Sequence, residues 1–135
     1  MENEAFRLPT EEKPSLTITD LIMLNVYTRQ LGIKYKPKNK KQLKDIIRYV
    51  VGDTTANTFV KGIDNFADLN WIDVSGIEDL SSLFSGLNFY GDISKWNVSK
   101  VKNMGIMFCK SRFDNDISNW DVSNVEDMDM MFYDN

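Results

Sequence analysis

A 24-residue period in the second half of this 135-residue chain limits its possible folds more than any other feature. Phe84, Phe108 and Phe132 stand 24 apart, as do Val74, Val98 and Val122, and Ser75, Ser99 and Ser123. Leu80, Met104 and Met128 keep the same step, then Leu83, Met107 and Met131, and Ile77, Val101 and Val125. Between them lie Asp92-Ile93-Ser94-Lys95-Trp96 and Asp116-Ile117-Ser118-Asn119-Trp120. A degenerate copy, Asp68-Leu69-Asn70-Trp71-Ile72-Asp73-Val74, precedes them, with its Trp one place early. An apolar position that recurs at a fixed step returns to the same environment in each unit, so the units are expected to stack.

Within a unit, Val101, Met104, Met107 and Phe108 follow the spacing of one helix face. Ser75 with Glu78, and Ser123 with Glu126, have the spacing of capping boxes; Lys102 breaks the box in the middle unit. Gly86 is placed to stop the first of these helices. The Asp-Ile-Ser-x-Trp segment alternates apolar and polar residues, as a short strand does. One strand and one helix bury too little alone, so Trp96 and Trp120 are expected as core rungs beside ladders of Ile, Val, Met and Phe. The predicted fold class is α+β, a leucine-rich-repeat-like solenoid of about 2.5–3 strand–helix repeats over residues 63–135.

The first half is expected to cover the solenoid's N-terminal end. Residues 1–14, with Pro9 and Pro14, are predicted to be a flexible arm. Residues 15–62 form a helical cap. One helix spans about 19–31, with Ile22 and Val26 on its stripe, Leu21, Leu24 and Leu31 slightly off it, Thr19 or Asp20 as cap and Gly32 as stop. A second runs about 40–51, with Leu43, Ile46, Ile47 and Val50 facing inward, Asn39 capping it and Gly52 ending it.

The stretches Gly91–Phe108 (GDISKWNVSKVKNMGIMF) and Asn115–Phe132 (NDISNWDVSNVEDMDMMF) resemble the BspA-type leucine-rich-repeat proteins of bacteria. The segment Tyr35–Ile47 is similar, more weakly, to the lead-in before such repeats. The resemblance implies a solenoid, surface display and binding of protein or matrix, not catalysis. Members of that family usually carry many repeats and an export signal or anchor. This chain has fewer than three full units, and its first residues have neither a basic nor an apolar signal region. With no apolar run near the ~18 residues of a membrane span, the expected localisation is cytoplasmic. Cell surface or secreted is the alternative if a signal has been removed.

Charge separates along the chain. Residues 29–63 carry nine basic and two acidic groups; residues 64–135 carry five basic and thirteen acidic. The contrast, +7 against −8, favours a basic protein surface as partner and disfavours direct contact with nucleic acid. The chain has no His, which removes the nucleophile systems and zinc sites that depend on it. A single Cys109 excludes an internal disulfide and is expected as a buried structural thiol. Asp114, Asp116 and Ser118 imitate the start of a calcium loop, but Asn119 replaces the turn Gly and Val125 the twelfth-position Glu. The basic stretch Lys34, Lys36, Lys38, Lys40, Lys41, Lys44 and Arg48 reads as a solvated face before it reads as a phosphate site. No catalytic, cofactor or metal residue is predicted.

The expected function is non-enzymatic protein binding by a bacterial or phage protein. Asp114, Asp116, Asp121, Glu126, Asp127 and Asp129 form the expected contact face. The sharper expectation is an intracellular inhibitor, encoded by a phage or mobile element, whose acidic face occupies a basic groove of a nucleic-acid-processing or defence protein. The alternative is a surface adhesin fragment. The C-terminal end is a second expected surface. There Met128, Met131, Phe132 and Tyr133 either pack back onto the second unit or dock a partner or a second copy.

Overall fold

The computed structural model describes residues 16–53, 60–61 and 67–135. The expected arm at 1–14, and both sides of the expected boundary at 62–63, lie outside the described residues.

Helix α1 (Ile18–Leu31) is capped by Thr17. The Thr17 side chain accepts from the Asp20 amide at 3.1 Å, and the Asp20 carboxylate accepts from the Thr17 amide at 3.0 Å. This reciprocal box satisfies two donors that a bare helix start leaves unpaired, so the cap is Thr17, with Asp20 as its box partner. Gly32 ends the helix at φ 66°, a left-handed conformation that costs Gly little. Leu21 and Leu24 face the core, whereas Ile22 and Val26, the expected stripe, are exposed. Apolar residues occupy more than one side of α1, so spacing alone does not say which side is covered.

Helix α2 (Lys40–Val50) follows its prediction. The Asn39 side chain accepts from the Gln42 amide at 2.9 Å, and Leu43, Ile46, Ile47 and Val50 are buried. The buried Gln42 oxygen accepts from the Tyr35 hydroxyl and the Lys38 amide, pinning the turn before the helix. Gly52 does more than end α2: at φ 109° it opens strand β1 (Gly52–Asp53), which pairs antiparallel with β2 (Val60–Lys61).

Three turn layers follow, at about 67–90, 91–114 and 115–135. None contains a helix, so the helices expected from the Val101–Phe108 spacing are replaced by successive turns. The reason lies in where the amides donate. In the first layer the amides of Leu83, Ser85 and Leu87 bond carbonyls three residues back. Those of Leu80, Ser82, Phe84 and Gly86 instead reach Asn103, Gly105, Met107 and Cys109 of the next layer, at 2.8–3.0 Å. The second layer repeats both sets one period on. Left-handed residues recur at the same step, at Ser82, Ile106 and Met130, and at Gly86, Lys110 and Asp134. A right-handed helix does not accommodate them.

The expected capping boxes are absent as well. The amides of Ser75, Ser99 and Ser123 donate to the side chains of Asp73, Asn97 and Asp121, two residues earlier. These are Asx turns, in which a short side chain imitates a backbone carbonyl. In the layers the expected strands shrink to a parallel bridge of Asp68 with Asp92, and the further bridges, Asp79 with Asn103 and Asn103 with Asp127, lie where helices were expected. Tyr35 joins the helical half to the layers: its amide donates to the Trp71 carbonyl and its carbonyl accepts from the Asp73 amide.

Side chains inside the layers stack in columns. The rings of Phe84, Phe108 and Phe132 are 5.6 and 5.4 Å apart, and Phe89 and Phe113 form a second column with centroids 6.0 Å apart. Trp96 and Trp120 are buried, and their indole N–H groups donate to the Leu69 and Ile93 carbonyls. An aromatic ring in such a column combines buried area with ring–ring contact. Phe108→Ala is therefore expected to destabilise the chain by about 3–5 kcal/mol. Phe132→Ala, with much of its ring already in water, should cost only about 1 kcal/mol. Urea denaturation of both variants checks the difference.

Candidate functional site: an acidic terminal layer

Nine Asx turns hold the layers, three in each, at fixed positions. Asp68, Asp92 and Asp116 accept from the amides of Asn70, Ser94 and Ser118. Asp73, Asn97 and Asp121 accept from Ser75, Ser99 and Ser123. Asp79, Asn103 and Asp127 accept from Ser81, Gly105 and Asp129. The Asp ladder expected beside the strand is thus a column of turn-forming side chains.

This divides the six expected contact residues into two kinds. All six are exposed. Asp116, Asp121 and Asp127 each commit one oxygen to a turn, at 2.8, 3.1 and 2.8 Å. Asp114, Glu126 and Asp129 make no side-chain hydrogen bond among the described residues, so their carboxylates stand free in solvent. Asn97 and Asn103 do the work of a turn-forming Asp without its charge, so the turn requirement alone does not explain the acidity of the third layer.

The two ends of the repeat half differ electrostatically. At the first layer, Lys40 lies 3.3 Å from the Asp79 carboxylate and donates to the Ser81 hydroxyl at 2.9 Å. Hydrogen bonds from Ser75 hold the Asp73 carboxyl below its usual range, and the charges of Lys36 and Lys34 add to them. Burial pushes Asp79 upward, but bonds from Ser81 and the Lys40 charge outweigh it and leave the group lowered. The backbone and hydroxyl of Ser94 lower Asp92. Part of the basic segment is therefore used inside the molecule. In the third layer, Ser118 and Ser123 lower Asp116 and Asp121. Among the described residues none of the six acidic groups forms a salt bridge.

The open C-terminal end differs in membership from its prediction. Met128, Phe132 and Tyr133 are 43%, 49% and 54% exposed, but Met131 is 7% exposed and belongs to the core. Met131 occupies the inward position of Leu83 and Met107, and the second layer covers it. Met130, 58% exposed, takes its place. Its period partner Ile106 is also exposed and the one before that, Ser82, is half-buried, and the polar Ser82 at this position was the available signal for it.

Cys109 is half-buried rather than buried. Lys41, Lys44 and Arg48 line a cleft of about 360 Å³ between α2 and the first layer, together with Asp45, Ser82 and Ser85. Lys41 pairs with Asp45 at 3.1 Å. Among the described residues no three Asp, Glu or Cys side chains converge to hold a metal ion, and the Asp116 oxygen of the calcium-like segment is bonded to the Ser118 amide. Nor is any helix there long and apolar enough to cross a membrane.

Turn layers that repeat every 24 residues and bond one to the next define a repeat protein. The family model described as "Mycoplasma protein of unknown function, DUF285" matches residues 54–135, and the chain belongs to that family. No curated protein and no solved structure matches the chain.

The lowered carboxyls fix a pH dependence. A group whose folded-state pKa is lowered contributes stability above its unfolded value, about 3.9 for Asp, and loses it as pH falls through the folded value. The thermal midpoint should hold steady from pH 7 to about 5 and fall below about 4. Asp73→Ala should cost about 1 kcal/mol at pH 7 through its lost turn bond. Asp73→Asn should cost less and flatten the acid limb of the melting curve.

Proposed function

We propose that the repeat half is a short leucine-rich-repeat-like solenoid of the BspA type and that it serves as a non-enzymatic protein-binding module. Its third layer occupies a basic groove on a partner protein inside the cell. The observation that carries this reading is the group of six exposed acidic residues, five in the third layer and Asp114 just before it, that form no salt bridge among the described residues, at the end remote from the basic helix α2. A cluster of like charge raises the rate of encounter with an oppositely charged surface and fixes orientation on it. The same cluster repels a phosphate backbone, so the groove belongs to protein even where its usual occupant is nucleic acid. An inhibitor of a nucleic-acid-processing or defence protein fits this chemistry.

The test is a neutralised chain that keeps its turns: Asp114→Asn, Asp116→Asn, Asp121→Asn, Glu126→Gln, Asp127→Asn and Asp129→Asn together. Asn already forms these turns at Asn97 and Asn103, so the melting temperature should change little. Pull-down from the native cytosol at low salt should recover a basic protein with the unaltered chain and not with the neutralised one. Recovery should disappear near 1 M salt, where screening acts over about 3 Å. Equal recovery by both chains, or at both salt concentrations, would remove the electrostatic reading. Recovery only of an extracellular matrix protein would favour the adhesin.

A further inference from the structure

We propose that the cleft between α2 and the first layer binds a small phosphate monoester. Its volume, about 360 Å³, falls within the range of small-molecule sites. Lys41, Lys44 and Arg48 line it from α2, and Ser82 and Ser85 line it from the first layer. The three cations stand three and four residues apart, so they share one face of the helix. Among the described residues Asp45 supplies the one carboxylate of the lining, and both its oxygens are engaged, one by Lys41 at 3.1 Å and the other by the Leu16 amide at 2.8 Å. Lys44 forms no salt bridge among the described residues. Three cations against one carboxylate leave the lining at +2. A phosphate monoester carries about −1.5 to −2 near pH 7 and meets that charge.

The repeat points to the same place. Ser82 and Ser85 stand in period with Ile106 and Cys109, then with Met130 and Tyr133. Only the layer that faces α2 has serine at both positions. The fold does not need it there: Ser82, Ile106 and Met130 share a left-handed conformation, at φ 62°, 45° and 55°. Neither serine hydroxyl makes a hydrogen bond among the described residues. A hydroxyl donates to a phosphate oxygen, and ammonium and guanidinium groups add stronger, charge-assisted bonds. Ile47, Leu83 and Leu87 are the apolar part of the lining, against which the organic part of an ester can lie. A polyanion long enough to leave the cleft would meet the acidic layers. A single phosphate group feels charges beyond about 8 Å only weakly at physiological salt. The cleft is separate from the acidic third layer, so this inference goes beyond the protein contact and does not rest on it.

Titration of the full chain with phenyl phosphate at about pH 7.5, where the ester is chiefly a dianion, tests it by NMR. The amides of Lys44, Arg48, Ser82 and Ser85 should shift together and saturate. Inorganic phosphate should bind about threefold more weakly, having no apolar part to bury. Phenylacetate at the same ionic strength should not saturate. Lys44→Gln with Arg48→Gln should weaken phenyl phosphate by about tenfold or more. Ser85→Ala keeps the backbone bond from the Ser85 amide to the Ser82 carbonyl and should weaken it by about threefold. Lys95→Gln with Lys100→Gln removes the same charge from exposed residues outside the cleft and should change affinity by less than about twofold. Shifts that do not saturate, or that both pairs of charge variants weaken equally, overturn the proposal. Phenylacetate bound as tightly as phenyl phosphate overturns the phosphate, and inorganic phosphate bound as tightly overturns the ester.

Discussion

Alternate backbone amides point in different directions in the repeat half, and the rest of the structure depends on that division. One set closes turns within a layer and the other crosses to the next layer at 2.8–3.0 Å. A polypeptide in this conformation has neither the internal ladder of a helix nor the continuous pairing of a sheet. Its polar groups are satisfied only when a neighbour is present, since each buried group left unbonded costs about 1–3 kcal/mol. Stacking is therefore imposed by the backbone before any side chain is considered. The side chains then fix its register. Phe, Trp, Met and Val return to the same place in each layer, and a shift of one residue would misplace every column.

Asp and Asn have a second role that the charge pattern hides. They form the turns, and an Asp that forms a turn also carries a charge. In the first layer the cap lysines answer that charge: Lys40 reaches Asp79, and Lys34 and Lys36 help hold Asp73 ionised. The segregation of charge along the chain is thus partly an internal fit between cap and first layer. Its remainder is concentrated at the far end, where Asp114, Glu126 and Asp129 have, among the described residues, neither a turn to hold nor a cation to meet. Function and architecture separate there, because the turn needs a side-chain oxygen and the acidity exceeds that need.

Much of this was legible in the sequence. The period, the buried columns of Leu80, Phe84, Met104 and Phe108, the Trp rungs and the whole of α2 follow from spacing and composition. The local conformation of the repeat did not. Val101, Met104, Met107 and Phe108 recur as on a helix face, yet the same spacing serves a chain of turns with inward residues every three or four places. Ser75 and Glu78 suggested a capping box because the competing acceptor, Asp73, lies on the other side of the serine. In α1 the apolar residues occupied more than one face, and the cap, Thr17, stood two residues before Thr19 and three before Asp20, the expected caps.

By itself the sequence determined that there are layers, how many residues each holds and which side chains face inward, because burial acts on residue type and a repeat displays it several times over. Tertiary structure alone decided the path of the backbone within a layer, since an amide's choice between a carbonyl three residues back and one 23 residues ahead depends on whether the next layer is there. It also decided that Met131 is core while Met130 is surface. Above all, it showed the last layer facing outward with four amides, those of Met128, Met130, Phe132 and Asp134, unbonded among the described residues. Which amides those are follows from the alternation of donors along the turn path, which neither composition nor period displays.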